Sequence, residues 1–412
     1  MKYCLIGKKL SHSYSCDVHC GRGFDYTLKE LDEEQVSPFF AAGGYDGFNV
    51  TIPYKKNAAA LSDVLSREAC ETGSVNTVKR ENGKLYGYNT DIGGVYYMLK
   101  RKGVSFRDKS VLIGGTGGAA QTVFYCAKNG GAKSVRFLSR SGGINYNNYP
   151  QLAGDTQIFI NATPVGMYPE TDVAPVDLAA FKNAEAVFDL IYNPFLTKLL
   201  RQAEKLKLVY SNGLSMLAEQ ALLAEDIWTG GAHKESETEE IIRGIVKRRG
   251  NIVLFGMPSA GKTVLGKLVA GAAGRKFIDT DEEIEKVIGR TPAEIIKTDG
   301  EAKFREIETS VIKTVAKTSG AVIALGGGAP IREENVDALK SNGVLIRIDR
   351  DLSELITDGR PMSQKKGVLA LYEERNEAYE RATDAAVKND RSAEVVAKEI
   401  LKAYEDTCYK RC

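Results

Sequence analysis

Two glycine-rich turns decide the fold, VLIGGTGGAAQTVFYCAKNG at residues 111–130 and IVLFGMPSAGKTVLGKLVAG at residues 252–271. Each begins as an apolar, strand-like run, passes through glycines and continues into sequence that favours a helix. Where a strand leads into a helix in this way, free backbone amides and the helix dipole can bind a phosphate group. The sequence therefore predicts two nucleotide-binding domains of the α/β class.

The rest of the chain repeats this alternation of apolar runs and amphipathic stretches. Runs such as YCLIG, GFNVTIP, SVRFLS, AVFDLIY and VLIRID are separated by helix-like sequence, which indicates parallel α/β sheets. A length of 412 residues also exceeds the roughly 250–300 residues at which a single core stops growing. Between the two turns, KESETEEIIRGIVKRRG at residues 234–250 predicts an amphipathic helix and a short joint. We place the main domain boundary near Arg248.

Composition and charge argue against several classes of protein. The 56 Lys and Arg residues nearly balance the 54 Asp and Glu residues, so nothing general favours nucleic acid as a partner. No stretch approaches the roughly 18 apolar residues of a membrane span, and the first residues do not resemble a signal peptide, so we expect a cytoplasmic protein. The 7 cysteines are scattered and are expected to be free thiols. Cys16, His19 and Cys20 lack a second ligand pair at zinc-like spacing, so we expect no metal site there.

The first turn has the features of a dinucleotide site. Its glycines let the backbone approach a pyrophosphate, although ordinary tight turns use the same residues. The residues expected to contact the dinucleotide are Gly115, Thr116, Gly117, Gly118 and Ala119. The next strand, SVRFLS, ends at Ser139 and Arg140, where an NAD site usually carries an acidic residue and where a guanidinium suits a 2′-phosphate. We interpret Arg140 as a sign of NADPH; the alternative is a surface arginine without a role.

The second turn, GMPSAGKT, satisfies the P-loop pattern and predicts a reaction of ATP or GTP. The backbone of such a loop cradles phosphates, its lysine neutralises the β- and γ-phosphates, and its hydroxyl reaches Mg²⁺. The residues in these positions are Ser259, Ala260, Gly261, Lys262 and Thr263. Asp279 and Asp281 close the next strand-like run on the same side. One can hold hydrated Mg²⁺ and the other can bind or deprotonate an acceptor hydroxyl; for Asp281 the alternative is helix capping.

The first 247 or so residues resemble shikimate dehydrogenases. The resemblance rests on LIGKKLSHSYS, GFNVTIPYK, GSVNT, GYNTDIGG, GGTGGAA, INATPVGM, FDLIY and GLSMLAEQ, which occur in family order. It implies an α/β substrate-binding lobe at residues 1–92 and 213–247 and a Rossmann NADP-binding lobe at residues 93–212. Two departures stand out: Cys16 occupies a position that is usually proline, and SRSGGINYN lacks the second basic residue often seen in NADP-dependent members.

The same resemblance implies roles for individual residues. Lys55 would be the catalytic acid/base, because an ammonium group can stabilise and protonate the oxyanion that forms when hydride reaches a ketone. Asp91 would orient the Lys55 ammonium group and a substrate hydroxyl, and Leu190 and Gly213 would line the nicotinamide side. The remaining substrate-binding residues would be Ser13, Ser15, Thr51, Asn76, Tyr192 and Gln220. Without the family, Lys55 is an ordinary exposed loop lysine.

From about Gly250 onward the chain resembles shikimate kinases, and residues 248–412 are expected to form a P-loop kinase domain with α/β/α layers. The motifs are GMPSAGKT, FIDTD, GEAKFREIE, ALGGGA, GRPM and LYEERNEAY. Shikimate would be bound by Asp281, Arg305, Gly327 and Arg375. The two arginines would take its carboxylate, a planar anion that suits their fork of donors. Arg360 would lie on a short lid and contact the ATP phosphates, and Asp279 would act through Mg²⁺.

The two resemblances support each other, because the product of one enzyme is the substrate of the other. Together they imply a bifunctional enzyme that reduces 3-dehydroshikimate to shikimate with NADPH and then phosphorylates the 3-hydroxyl of shikimate with Mg²⁺ and ATP. One alternative is a quinate/shikimate dehydrogenase that uses NAD. Another is that one half is an inactive regulatory module. The oligomeric state is left open.

Overall fold

Three sheets lie within the part of the chain that the structure describes, and each includes strands from the apolar runs described above. The computed structural model describes residues 1–10, 13–355 and 367–411. These residues divide into two compact units, Met1–Ile242 and Arg243–Arg411. The described part of the first unit holds two 6-stranded sheets and that of the second unit holds a 5-stranded sheet. The predicted α/β class is confirmed.

The first sheet has the strand order β2-β1-β3-β5-β6-β4. Its strands are β1 (Lys2–Gly7), β2 (Asp25–Glu30), β3 (Gly47–Val50), β4 (Val64–Leu65), β5 (Thr77–Glu81) and β6 (Lys84–Tyr88). The helices among them are α1 (Ser15–His19), α2 (Glu33–Ala42), α3 (Lys55–Leu61) and α4 (Arg67–Thr72). β1 lies parallel to β2 and β3, and β5 lies antiparallel to β3 and β6. Because β1 and β3 are parallel neighbours, the residues that follow them, including Ser13 and Lys55, start from one edge of the sheet.

The second sheet is parallel throughout, with the order β12-β11-β10-β7-β8-β9. Its strands are β7 (Ser110–Gly114), β8 (Ser134–Ser139), β9 (Ile144–Asn145), β10 (Ile158–Asn161), β11 (Ala186–Asp189) and β12 (Val209–Ser211). The accompanying helices are α5 (Asp91–Arg101), α6 (Gly118–Asn129), α7 (Tyr149–Leu152) and α8 (Lys198–Lys205). Helix α9 (Leu214–Thr229) packs against α5 and also reaches the first sheet, where the Trp228 ring nitrogen donates to the Val78 carbonyl at 3.0 Å. The strand order reverses between β7 and β10, and such sheets bind ligands beyond the carboxyl ends of the strands at that point. The first glycine-rich turn begins there, directly after Gly114.

The predicted joint helix is α10 (Glu235–Arg249). The division between the two units falls after Ile242, inside this helix. Beyond that point the helix packs within the second unit, where the Tyr404 hydroxyl donates to the Val246 carbonyl at 2.7 Å. The domain boundary near Arg248 stays a prediction.

The third sheet is also parallel and has the order β14-β15-β13-β16-β17. Its strands are β13 (Asn251–Phe255), β14 (Phe277–Asp279), β15 (Val322–Ala324), β16 (Gly343–Asp349) and β17 (Ala385–Lys388). Its helices are α11 (Lys262–Ala273), α12 (Thr280–Ile288), α13 (Pro292–Asp299), α14 (Glu301–Val315), α15 (Glu333–Lys340), α16 (Val368–Ala382) and α17 (Ala393–Arg411). The central strand β13 is buried along its whole length and leads into the P-loop. The P-loop therefore starts from a fully buried strand in the middle of this sheet.

Every helix within the described ranges is too short or too polar to cross a bilayer. The cysteines in those ranges are free thiols. Near Cys16 and Cys20, the His19 ring lies 2.8 Å from the Glu225 carboxylate. In the same ranges, no group of three or more His, Cys, Asp or Glu side chains could hold a metal ion.

Candidate active sites

A cluster of polar side chains in the first unit surrounds Lys55 and Asp91. Lys55 begins α3 and Asp91 begins α5, and Lys55 Nζ lies 2.5 Å from Asp91 Oδ2. The two side chains are 16% and 7% exposed, so the ion pair is largely shielded from water without being sealed. A charged hydrogen bond this short holds the ammonium group in one position. The structure thus brings the predicted acid/base together with its predicted orienting group.

Asn76 connects this ion pair to Gln220. Asn76 Nδ2 lies 2.9 Å from Asp91 Oδ1 and 3.2 Å from Gln220 Oε1. The Asn76 side chain is itself fixed, because its Oδ1 accepts a hydrogen bond from the Thr90 amide at 2.8 Å. Four of the predicted residues, including Lys55, therefore form one continuous network.

The two predicted serines lie beside each other at the start of α1. The Ser15 amide donates to Ser13 Oγ at 3.2 Å, and the two hydroxyl oxygens are 3.1 Å apart. Burial raises the pKa of Tyr192 to about 12, while hydrogen bonds from the Tyr14 backbone and the Ser13 side chain oppose that rise. Tyr192 therefore keeps its hydroxyl proton at neutral pH and lies next to Ser13. Thr51 directly follows β3 and is half-buried.

The dinucleotide turn links β7 to α6. Its predicted contact residues follow one another as Gly115, Thr116, Gly117, Gly118 and Ala119. Gly115 has a φ of +99°, a conformation that residues with a Cβ rarely adopt. Gly118 begins α6, and a Cβ placed on it would lie 3.9 Å from the Cβ of Lys55. The start of α6, where we expect the pyrophosphate, therefore lies beside Lys55, the predicted acid/base.

Arg140 occupies the position expected to contact the ribose. Ser139 ends β8, and Arg140 follows it in an exposed position. Burial raises the pKa of Tyr146, and the nearby charge of Arg140 lowers it. Arg140 makes no hydrogen bond or ion pair with any other residue that the structure describes. Its five N–H donors are therefore available to an anionic ligand.

Leu190 and Gly213, which are predicted to line the nicotinamide, lie in a stretch of backbone fixed by hydrogen bonds and close packing. The Gly213 amide donates to the Ile191 carbonyl at 3.0 Å, and a Cβ on Gly213 would collide with the Leu190 carbonyl. From the other side, Asp189 Oδ1 accepts a hydrogen bond from the Ile191 amide at 3.1 Å. The backbone around Leu190 therefore has little freedom to move.

Sequence reasoning missed Asp189, the last residue of β11. Its carboxylate is fully buried and accepts hydrogen bonds from Asn161 Nδ2 at 3.0 Å and Thr197 Oγ1 at 2.7 Å. Burial raises the pKa of Asp189 to about 7, and its hydrogen-bond donors, including the Ile191 amide, oppose the rise. The available signal was an acidic residue inside the apolar run AVFDLIY, since a buried carboxylate needs partners.

The P-loop joins β13 to α11. It contains Ser259, Ala260 and Gly261 and leads directly into Lys262 and Thr263. Ser259 has a φ of +68° and Gly261 a φ of +96°, so the backbone curls into the kind of amide nest that binds anions. Lys262 Nζ donates to the carbonyls of Gly256 and Met257 at 3.1 and 3.0 Å. The ammonium group therefore lies over the loop that is expected to hold phosphate.

The predicted Mg²⁺ ligands lie next to each other. The Thr263 hydroxyl donates to Asp279 Oδ2 at 2.9 Å, and oxygen ligands of these two kinds suit Mg²⁺. Asp279 also caps α12, because its Oδ1 accepts a hydrogen bond from the Asp281 amide at 3.1 Å. The helix-capping alternative for Asp281 is therefore wrong, since the cap is Asp279. Asp281 instead faces the three glycines at residues 326–328, after β15, which we call the glycine turn. A Cβ on Gly326 would lie 2.8 Å from Asp281 Oδ1.

The predicted substrate arginines meet at the same turn. Arg305, on α14, pairs with Glu308 at 2.7 Å. Arg375, on α16, is 3% exposed, and its Nε and Nη1 have no hydrogen-bond partner in the part of the chain that the structure describes. A Cβ on Gly327 would lie 2.8 Å from Arg375 Nη1. Buried guanidinium N–H groups without acceptors are unfavourable unless a ligand satisfies them. The arrangement favours an anion-binding site.

Sequence reasoning also missed Glu308. This residue is 1% exposed. Burial raises the pKa of Glu308, Arg305 opposes that rise, and Asp281 adds to it. The available signal was its place one helical turn after Arg305. Arg360 and the GRPM motif lie outside the described residues.

Known proteins resemble both parts of the chain. The family model described as "Shikimate dehydrogenase substrate binding domain" matches residues 5–78, and the one described as "Shikimate kinase" matches residues 258–405. The shikimate dehydrogenase (NADP(+)) of Clostridium perfringens strain 13 is 35% identical over 258 residues, which are 58% of this chain and 95% of that protein. The protein of the same name from Methanococcus maripaludis strain C6 is 38% identical over 252 residues, 55% of this chain and 90% of that protein.

Solved structures of shikimate dehydrogenases resemble more than half of the chain. Shikimate dehydrogenase 1 from Peptoclostridium difficile is 32% identical with a TM-score of 0.55, covering 59% of this chain and 97% of that one. Shikimate 5-dehydrogenase from Thermus thermophilus, in complex with NADP(H) and shikimate, is 29% identical with a TM-score of 0.53, covering 59% and 98%. The predicted fusion is confirmed: the amino-terminal part of the chain belongs to the shikimate dehydrogenase family, and a shikimate kinase domain follows at residues 258–405.

Proposed function

We propose that this chain reduces 3-dehydroshikimate to shikimate with NADPH and phosphorylates shikimate with ATP and Mg²⁺. The observation that carries the first activity is the 2.5 Å contact between Lys55 and Asp91 beside the start of α6. The observation that carries the second is the buried Arg375, whose Nε and Nη1 have no hydrogen-bond partner among the described residues and which lies at a turn next to the P-loop.

In the reduction, hydride passes from the nicotinamide ring to the ketone carbon, and the ketone oxygen takes a proton to become a hydroxyl. In this proposal Lys55 supplies that proton, and the charge of its ammonium group stabilises the oxyanion that forms before the proton is transferred. Asp91 holds the ammonium group in place. Asn76 and Gln220, which share its hydrogen-bond network, would orient the hydroxyls of the ring.

The residues of the first glycine turn fit NADP. The exposed turn before α6 leaves room for a pyrophosphate, and the helix dipole favours its charge. Arg140 offers a guanidinium that no other described residue binds, at the strand end where a 2′-phosphate is expected. The relative from Clostridium perfringens is named as NADP-dependent, which supports the same cofactor here.

In the phosphorylation, the 3-hydroxyl oxygen of shikimate attacks the γ-phosphorus of ATP, its proton passes to a base, and ADP leaves. Asp281 is the base in this proposal, and Lys262 stabilises the transferring phosphoryl group. The residues that would hold Mg²⁺ are Thr263 and Asp279, whose side-chain oxygens are adjacent. The two arginines at the glycine turn bind the carboxylate of shikimate.

A coupled assay of the purified chain tests both activities. With 3-dehydroshikimate and NADPH, we expect NADPH oxidation and formation of shikimate, and added Mg²⁺ and ATP should convert that shikimate to shikimate 3-phosphate. EDTA should stop the second step and leave the first unchanged. Absence of shikimate would overturn the first half of the proposal, and absence of shikimate 3-phosphate when shikimate itself is added with Mg²⁺ and ATP would overturn the second. Parallel reactions with NADH and with quinate plus NAD test the alternative dehydrogenase.

A further inference from the structure

Helix α16 carries a second side chain that reaches the glycine turn of the kinase domain. Tyr379 lies one helical turn after Arg375, so both side chains project from the same face of the helix. The Tyr379 hydroxyl donates a hydrogen bond to the carbonyl of Gly327 at 2.5 Å. The residue is 1% exposed, so water does not compete for this bond.

Two hydrogen bonds with buried side chains fix the glycine turn. In addition to the bond from Tyr379, the Gly326 amide donates to the hydroxyl of the buried Thr280 at 3.1 Å. Between these two anchors, Gly327 approaches both halves of the site: a Cβ on it would lie 2.8 Å from Arg375 Nη1 and 3.2 Å from Pro258 in the P-loop. Consecutive glycines have wide conformational freedom, so a defined turn here depends on such anchors.

The ring and the hydroxyl of Tyr379 have separable roles. The ring packs edge-on against Phe255, the last residue of β13, with the centroids 5.5 Å apart at 82°. Phenylalanine would keep that packing and remove the hydroxyl, with its hydrogen bond to the Gly327 carbonyl and its interaction with Arg375. Burial raises the pKa of Tyr379, and the charge of Arg375 opposes that rise, so the hydroxyl remains a donor at neutral pH.

We propose that Tyr379 is a positioning residue for shikimate. By holding the Gly327 carbonyl, its hydroxyl fixes the peptide that joins Gly327 to Gly328, and the trans geometry aims the Gly328 amide to the other side of that peptide. The turn then presents one backbone geometry to the substrate beside Arg375. This inference rests on the proposed kinase activity of the same site.

Steady-state kinetics of Tyr379→Phe in the full chain test the inference. The KM for shikimate should rise roughly two- to tenfold, the range expected for one neutral hydrogen bond. The KM for ATP should change less than about twofold, because the ring still packs against the end of β13. A merely structural role would raise both constants together or neither.

Tyr404→Phe is the matched control. Tyr404 is also 1% exposed in the second unit, and its hydroxyl also donates to a backbone carbonyl, that of Val246 at 2.7 Å. Loss of the Tyr404 hydroxyl should lower thermal stability about as much as Tyr379→Phe does and leave the shikimate KM unchanged. Equal shikimate KM values in Tyr379→Phe, Tyr404→Phe and the unmodified chain would overturn the positioning role alone. An unmodified chain that does not phosphorylate shikimate would overturn the kinase proposal itself.

A second variant covers the case in which Tyr379→Phe does not fold. Thr280→Val keeps the shape of the buried side chain and removes the acceptor for the Gly326 amide. It should produce the same selective rise in the shikimate KM, because the turn loses its hydrogen bond to Thr280. An unchanged shikimate KM in a folded Thr280→Val protein would show that the anchors of the turn do not matter for binding.

Discussion

Lys55 and Asp91 form an ion pair whose position matters more for function than its strength matters for stability. Removing two charges from water costs nearly as much as their attraction returns, so a shielded pair adds little net stability. The pair lies instead where α3, α5 and the start of α6 meet, beside the predicted dinucleotide. A change at Lys55 should therefore affect chemistry more than folding.

Replacing Lys55 with Ala should lower kcat/KM for the reduction of 3-dehydroshikimate by roughly 10²–10⁴-fold, because the oxyanion loses its proton donor. Phosphorylation of added shikimate should stay within about twofold, since the P-loop belongs to the other unit. Both rates can be measured on one preparation. Lys56→Ala, at the neighbouring exposed lysine, should keep both activities. A Lys55→Ala protein with the full dehydrogenase rate would refute the assignment.

Replacing Arg140 with Ala should raise the KM for NADPH and leave the KM for NADH nearly unchanged. A charge-assisted hydrogen bond contributes about 1.5–3 kcal/mol, which corresponds to roughly ten- to hundredfold. Lys133→Ala, at an exposed lysine just before the same strand, is the control and should change neither constant. Equal use of both cofactors by the unmodified chain would contradict the reading of Arg140 and favour the NAD-dependent alternative.

At the scale of secondary-structure elements, a buried carboxylate joins two strands of the second sheet. Asp189 ends β11 and accepts a hydrogen bond from Asn161, which ends β10. It also accepts from Thr197, just before α8. The loop that carries Leu190 and Tyr192 is therefore anchored to two strand ends and one helix start.

Asp189→Asn should change how the stability of the first unit depends on pH. An unfolded aspartate has a pKa of about 3.9, whereas burial raises the pKa of Asp189 to about 7. Between these pH values the folded state holds a proton that the unfolded state has lost, so stability falls as the pH rises. From about pH 4 to pH 7 the free energy of unfolding of the unmodified chain should fall by up to about 4 kcal/mol more than that of Asp189→Asn. Above that range the difference between the two proteins should stay constant.

Urea unfolding at several pH values measures this effect. The chain has 1 tryptophan, Trp228, which is 4% exposed and lies in the first unit, so its fluorescence follows that unit alone. Thr197→Val is the companion variant: it removes a donor that favours the ionised carboxylate and should extend the pH-dependent range upward. Parallel pH profiles for Asp189→Asn and the unmodified chain would count against a protonated Asp189 in the folded state.

At the scale of the whole molecule, each unit has its own apolar core. The first unit buries Ile113 and Phe188 in one cluster, and the second buries Val253 and Leu345 in another. Each unit also carries its own parallel nucleotide-binding sheet. Units built in this way generally fold independently.

We propose that the chain can be divided into two active proteins. The division after Ile242 is the better place for the cut, because Val246 belongs with Tyr404 in the second unit. Residues 1–242 should retain dehydrogenase activity, and residues 243–412 should retain kinase activity. A cut at the sequence-predicted boundary near Arg248 should give a less stable kinase protein, measured as a lower thermal midpoint. Either piece of the first pair being unfolded when made alone would contradict this.

The amino-acid sequence by itself determined the α/β class, the two phosphate-binding turns and the pairing of the two families. These features are local: a strand run, a glycine turn and a helix start are adjacent in the chain, and their residue types are dictated by backbone geometry and phosphate charge. For the same reason the sequence placed Lys262 and Thr263 correctly at the start of a helix.

Only the tertiary structure decided which polar residues are buried together. Asp189 and Glu308 were missed, because the groups that surround them come in part from strands and helices far along the chain. The role of Tyr379 is visible only because α16 packs against the turn after β15, 52 residues earlier in sequence. Burial and long-range hydrogen bonds arise when elements pack, and no local pattern of residues specifies which distant groups will meet.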